Sequence, residues 1–145
     1  MIIKPYEDKY RDDLIFMVLQ DKDALGRKPT INEDLLDIRT NYFERGYMFW
    51  VAVDEDDRVI GCVGYSRTEN LSEAFLHRLY VKASQKRSWI GTALLKTAEE
   101  YMRNKGIAVS LVHLGEPKEQ WVESYSFYPK HGYNEIKPRY MRKDL

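Results

Sequence analysis

Apolar and polar positions recur along the chain at two different periods, and each period predicts an element. Ile2-Ile3-Lys4-Pro5-Tyr6 suits a short first strand. From Tyr10 to about Asp23 the apolar residues Leu14, Met17 and Val18 fall at i, i+3 and i+4, one face of a helix. Leu25-Gly26-Arg27-Lys28-Pro29 breaks that period and reads as a loop. Thr30-Ile31-Asn32-Glu33 has the composition of a capping box. Ile31, Leu35, Ile38 and Tyr42 would then line a second helix that Gly46 ends.

The period next shortens. Tyr47 to Val53 reads as a strand, Asp54 to Asp57 as a turn, and Arg58 to Tyr65 as the returning strand. Gly61 and Gly64 inside it predict a bulge or a close approach by another element. Glu73 to Val81 is a further strand. Gly91 to Asn104 is a helix with Leu94, Leu95, Ala98 and Met102 inward, closed by Gly106. Ala108 to Leu114 is a strand, and Pro117 to Lys130 a helix with proline in its first turn and Gly132 after it. Two short strands, Tyr133 to Ile136 and Tyr140 to Lys143, finish the chain. A hairpin followed by strand–helix–strand crossovers predicts a mixed sheet flanked by helices.

Composition changes this picture mainly by exclusion. A length of 145 residues suits one domain. Lys plus Arg equals Asp plus Glu at 23 each, so nothing favours a nucleic-acid partner. The single cysteine, Cys62, permits no internal disulfide and reads as a buried thiol. No apolar run approaches the ~20 residues of a membrane span, and the N-terminus lacks a secretory pattern. A reduced, cytoplasmic setting is the expectation.

The chemistry concentrates in one segment, Leu79-Tyr80-Val81-Lys82-Ala83-Ser84-Gln85-Lys86-Arg87-Ser88-Trp89-Ile90-Gly91-Thr92-Ala93-Leu94-Leu95. A strand feeds a polar loop, and the loop opens into a helix whose first amides lack intrahelical acceptors. That helix end is positive, a natural partner for a pyrophosphate. Lys86 and Arg87 add charge, Thr92 a hydroxyl, and Gly91 room for close approach. A solvated basic loop before an ordinary helix would look the same. The Walker A and dinucleotide fingerprints both fail here.

The segment resembles motif A of the GNAT acetyltransferases. Leu79-Tyr80-Val81 matches its strand, Lys86 takes its Arg/Gln slot, and Gly91-Thr92-Ala93-Leu94-Leu95 matches its end. The resemblance implies a GNAT fold, α/β (α+β), with a mixed, mostly antiparallel twisted sheet. It implies acetyl-CoA as cofactor, held by Leu79, Tyr80, Val81, Lys86, Arg87, Ser88, Trp89, Ile90, Gly91 and Thr92. Trp89 replaces the motif's first glycine, so its side chain must turn away from the phosphates.

Ser124-Tyr125-Ser126-Phe127-Tyr128-Pro129-Lys130-His131-Gly132-Tyr133 resembles motif B of the same family. Its tyrosine, here Tyr128, would protonate the departing CoA thiolate. By spacing alone Tyr128 could equally be a packing aromatic. Trp121 stands where the family often has an asparagine. Glu73 and His77 share a strand face and are candidate bases, though surface placement explains both. No metal site is expected from three scattered histidines. The resemblance places the amine acceptor near Leu25 to Pro29, Tyr42, Phe43 and Tyr47, and is compatible with a homodimer. The resulting expectation is transfer of an acetyl group to a primary amine of a small molecule or peptide in a ternary complex. A non-catalytic acyl-CoA-binding module is the alternative.

Overall fold

The computed structural model describes residues 1–28, 30–86 and 89–145. Seven strands form one sheet: β1 (Ile2–Pro5), β2 (Met48–Val53), β3 (Val59–Arg67), β4 (Glu73–Val81), β5 (Val109–His113), β6 (Asn134–Lys137) and β7 (Tyr140–Asp144). Their order across the sheet is β1-β2-β3-β4-β5-β7-β6. Among the described residues only the β4–β5 pair is parallel. It is also the pair joined by a long crossover, helix α3 (Ile90–Asn104), as a parallel connection requires. The sheet is therefore mixed and mostly antiparallel, as expected.

Two cores cover its faces. α1 (Arg11–Ala24) brings Leu14, Met17 and Val18 onto Phe49, Val51 and Cys62. α3 brings Leu94, Leu95, Ala98 and Met102 onto Val63, Tyr65 and Leu76 on the other side, with α4 (Val122–Lys130) adding Tyr128. Each of the larger α3 side chains contributes about 1.5–3 kcal/mol on burial. The strand between these layers, β3, is buried from Val59 to Tyr65 without alternation, as a two-sided strand must be.

Its glycines set the helix distances. A Cβ on Gly61 would lie 2.8 Å from Leu94 Cδ1, and one on Gly64 2.8 Å from Tyr42 Cε1. β3 also carries an extra residue beside Gly61, since Ala52 faces Gly61 while Val53 faces Val59. Both consequences anticipated for these glycines, bulge and close approach, are present.

Two helices differ from their sequence pattern. The run from Ile31 to Tyr42 is not one helix: a 3-10 turn at Glu33–Leu36 precedes a short α2 (Ile38–Asn41) and another turn at Phe43–Arg45. The Thr30 capping box does not form: Asn32, not Thr30, is the cap residue of the first turn, and its Oδ1 accepts from Lys22 Nζ and the Tyr80 hydroxyl instead of capping. Asp37 restarts the chain, its carboxylate accepting from the Thr40 amide at 3.1 Å. The run from Pro117 is also divided. Pro117 is extended, Lys118–Gln120 makes one 3-10 turn, and Trp121 breaks the backbone before α4 begins. The break seats the Trp121 indole on Gly115, where a Cβ would lie 2.1 Å from the ring.

Candidate active site

The site begins where the sheet opens. β4 and β5 pair from Glu73↔Val109 to Leu76↔Val112 and pair no further. Just beyond, β4 carries one extra residue relative to β3, since Cys62 faces Tyr80 while Gly64 faces His77. Arg78 takes up that bulge at φ 55, a backbone state costing a non-glycine residue about 1–2 kcal/mol. Its guanidinium is anchored on Asp34 by two hydrogen bonds of 3.0 and 3.1 Å, and the Tyr42 hydroxyl donates to the same carboxylate at 2.6 Å. The bulge leaves Leu79–Val81 paired to β3 alone among the described residues, with its other edge open toward the end of β5.

A cavity of about 410 Å³ lies between that open edge, the start of α3 and α4. α3 opens with Trp89 as its cap residue, at φ 71, without a side-chain cap or an acidic residue in the first turn. Among the described residues, the Ala93 amide is the first in this helix to find a backbone acceptor, the Trp89 carbonyl at 2.9 Å. The helix therefore presents its leading amides and its positive end to the cavity. A Cβ on Gly91 would meet Phe127 at 3.4 Å and Val81 at 3.5 Å, ordinary contacts. Packing does not require glycine here. Trp89 borders this cavity and is 78% exposed. These features fit a pyrophosphate at the helix end and an extended arm along Leu79–Val81.

The charges there are arranged differently from the sequence expectation. Lys86 is an ion-pair clasp, 2.8 Å from Asp21 on α1 and 3.3 Å from Glu123 on α4. Asp21 is buried, and burial pushes its carboxyl up against the pull of Lys86. Arg87 and Ser88, also expected to hold the cofactor, lie outside the described residues. His131 Nδ1 bonds the Phe127 carbonyl at 2.8 Å, so with a neutral ring its Nε2 accepts from Thr92 Oγ1 at 3.1 Å. That bond orients the Thr92 hydroxyl at the helix start.

A second cavity, of about 470 Å³, adjoins the first. The two share Leu79, Ser124 and Tyr128. Tyr128 is buried, and among the described residues its hydroxyl has no hydrogen-bond partner. Burial, with the nearby Tyr80, raises its pKa, so the phenol keeps its proton at neutral pH. Tyr80 lines the second cavity, its hydroxyl bonded to Asn32 Oδ1 at 3.3 Å. Trp121 forms another wall, sandwiched between Gly115 and the Arg27 guanidinium, which lies 3.6 Å from the ring centroid.

The candidate bases separate. His77 lines the second cavity; burial lowers its pKa to about 4, and Nε2 shares a 2.6 Å hydrogen bond with Ser66 Oγ. Glu73 does not reach it. It begins β4, roughly 20 Å along the strand from Tyr80 at 3.3 Å per residue, and accepts from Asn70 Nδ2 at 3.1 Å. The acceptor region also differs from expectation. Arg27 and Lys28 line the cavity, but Tyr42 is core, Phe43 lines a separate surface hollow, and Tyr47 packs against both cores. Pro29 lies outside the described residues. Cys62 is fully buried, its thiol donating to the Arg78 carbonyl at 3.2 Å and pushed up in pKa by burial.

Sequence reasoning missed Lys22, Arg78 and Arg139 on the second cavity. For Lys22 a pattern was available. Leu14, Met17, Val18, Asp21 and Lys22 continue one helical stripe, and all five are buried. A charge on an apolar stripe marks a place where the interior is wet or occupied.

Comparisons with known proteins place this architecture. The profile of the acetyltransferase (GNAT) family matches residues 11–133. A probable N-acetyltransferase 14 of Xenopus tropicalis is 36% identical over 73 residues, covering 50% of this chain and 35% of that protein. The chain thus spans about a third of that relative's length. A GNAT-family acetyltransferase of Staphylococcus aureus Mu50 superposes with a TM-score of 0.89 at 22% identity, covering 99% of this chain and 98% of the other. The PaiA N-acetyltransferase of Thermoplasma acidophilum, in complex with coenzyme A, superposes at 0.77 with 23% identity over 99% of this chain and 98% of its own. No helix among the described residues is long and apolar enough to cross a membrane. The splayed strands, the uncapped helix start and the family profile agree: the chain belongs to the GNAT family of acetyltransferases.

Proposed function

We propose that the chain is an acetyl-CoA-dependent N-acetyltransferase that moves an acetyl group to a primary amine of a small molecule or peptide, as one GNAT domain in a cytoplasmic setting. One observation carries the reading: the cleft at the start of α3 and the neighbouring cavity meet at Tyr128. A thioester seated along Leu79–Val81 would present its carbonyl at that junction, facing an amine in the second cavity. When bound, acetyl-CoA supplies the activated acyl group.

The chain's own residues supply position and one proton. The amides of Ile90, Gly91 and Thr92 hold the pyrophosphate, with the Thr92 hydroxyl oriented by His131. The open edge of Leu79–Val81 orients the arm and so the thioester. Tyr128 gives its proton to the leaving sulfur, a task for a phenol held protonated by burial. His77 positions the acceptor: a ring titrating near 4 is a poor acceptor for an ammonium proton. The proton leaves through water in the cavity.

The alternative, a non-catalytic acyl-CoA-binding module, rested on Trp89 and Trp121 as marks of a decayed site. Trp89 is exposed where it borders the cleft and Trp121 has its own seat on Gly115, which leaves the open edge of Leu79–Val81 and the start of α3 accessible. Calorimetric titration with acetyl-CoA and desulfo-CoA, followed by thiol release across an amine panel, separates the readings. Binding with amine-dependent thiol release is expected. Binding without release to any amine would favour the module, and no binding would sink both.

A further inference from the structure

The second cavity carries a charge imbalance. Two of its cations are matched: Arg78 by Asp34, and Arg139 by Glu116 at 3.4 Å. Three others, Lys22, Arg27 and Lys28, form no ion pair among the described residues. They come from one stretch, the last turn of α1 and the loop after it. His77 adds no negative charge, and its ring is neutral at pH 7.

Lys22 is the sharpest member. It is only 5% exposed, and its ammonium meets two uncharged oxygens, the Thr30 carbonyl and Asn32 Oδ1 at 3.1 Å. The negative end of α1 offsets part of its charge, but that field fades within a turn; Arg27 also feels Asp21 and Glu123, which are already paired with Lys86. Arg27 is itself constrained, with Nε donating to the Gln120 carbonyl at 2.9 Å and its plane on Trp121. A buried cation without a counter-ion is costly, and such charges are normally paired. Burial and the neighbouring Arg78 and Arg27 accordingly lower the Lys22 pKa.

We infer that the acceptor carries an anionic group beside its amine, a carboxylate or phosphate seated against Lys22, Arg27 and Lys28. This rests on the transferase reading and names the substrate class for its second cavity. At about 470 Å³ that cavity has the size of small-molecule sites. The amine lies toward Tyr128 and the anion toward the end of α1. A purely cationic acceptor such as a diamine would face like charge there.

The test compares matched amines at saturating acetyl-CoA: β-alanine with β-alaninamide, phosphoethanolamine with ethanolamine, and putrescine as the dication, each read by thiol release. The inference predicts at least about tenfold higher kcat/KM for the anionic member of one pair; the pair that shows it tells carboxylate from phosphate. Lys22→Met should erase that preference, read as the ratio of kcat/KM within the pair, with acetyl-CoA affinity within a few-fold of the parent. Should Lys22→Met fail to fold, the Arg27→Gln, Lys28→Gln double variant should cut the preference several-fold. Neutral or dicationic amines turned over as well as their anionic partners would overturn the inference and leave the transferase standing. If no amine releases thiol, anion binding decides: β-alanine or phosphoethanolamine should raise the melting temperature of the CoA complex in the parent and not in Lys22→Met, and equal shifts would overturn it. Failure to bind acetyl-CoA at all would overturn both.

Discussion

The two cavities that meet at Tyr128 are built in different ways. The proposed cofactor cleft lies against α4 and offers mainly backbone from two segments close in the chain, the strand edge Leu79–Val81 and the start of α3. The acceptor cavity is made by side chains from Lys22 to Arg139, brought together by α1, β4, β5 and α4. A site made of backbone needs only local conformation, so its pattern survives in a contiguous motif. A site made of side chains needs tertiary placement.

That contrast can be broken or sharpened at individual residues. The largest effect is expected at His77, whose ring stays neutral in the folded cavity wall and titrates near 4, against 6.5 when free. Between those values the unfolded chain binds the proton and the native chain does not, so stability falls as pH drops from about 6.5 to 4. Urea unfolding should show the parent losing on the order of 3 kcal/mol more than His77→Gln between pH 7 and pH 4. Equal losses would place the ring in water, outside the cavity wall.

Gly115→Ala comes next. Its Cβ would lie 2.1 Å from the Trp121 ring and so must unseat the indole from Arg27. Denaturation should report a loss of about 1–3 kcal/mol, with acceptor KM raised and acetyl-CoA affinity unchanged. Weakened acetyl-CoA binding of the same size would mean the two cavities are one. Gly91→Ala is the opposite experiment. The new methyl meets only ordinary contacts, and alanine favours a helix over glycine by up to about 1 kcal/mol, so stability should hold or rise. Acetyl-CoA affinity should nevertheless fall about tenfold, or 1.4 kcal/mol, because the methyl occupies the path of the phosphate. Unchanged affinity would remove the start of α3 from the cofactor site.

The sequence carried the strand pattern well, because β2 to β5 are apolar runs bounded by turns and their crossover has a strongly periodic helix. The proposed cradle was suggested by the sequence because Leu79–Val81 and Gly91 fall within one short stretch of the chain. The helix expected from Ile31 to Tyr42 was misleading: its apolar spacing is right, but Asp37 bonds the Thr40 amide and Asn32 Oδ1 is taken by Lys22 and Tyr80. Lys86 read as a free charge because nothing local reveals that Asp21 and Glu123 will flank it. Glu73 and His77 looked equivalent on one strand face, yet the opening of the sheet past Leu76 brings only His77 to the cavity. Arg78 and Arg139 had no local signal, whereas Lys22 had one in the stripe it shares with Val18.

The central claim is that acyl transfer takes place where the two cavities join. Tyr128→Phe tests it most directly, with kcat from thiol release and acetyl-CoA affinity from calorimetry measured on the same preparation. The predicted result is a kcat lower by about 100-fold or more with acetyl-CoA affinity within a few-fold of the parent, as loss of a general acid requires. An unchanged kcat, or a loss matched by equally weakened acetyl-CoA binding, would contradict it.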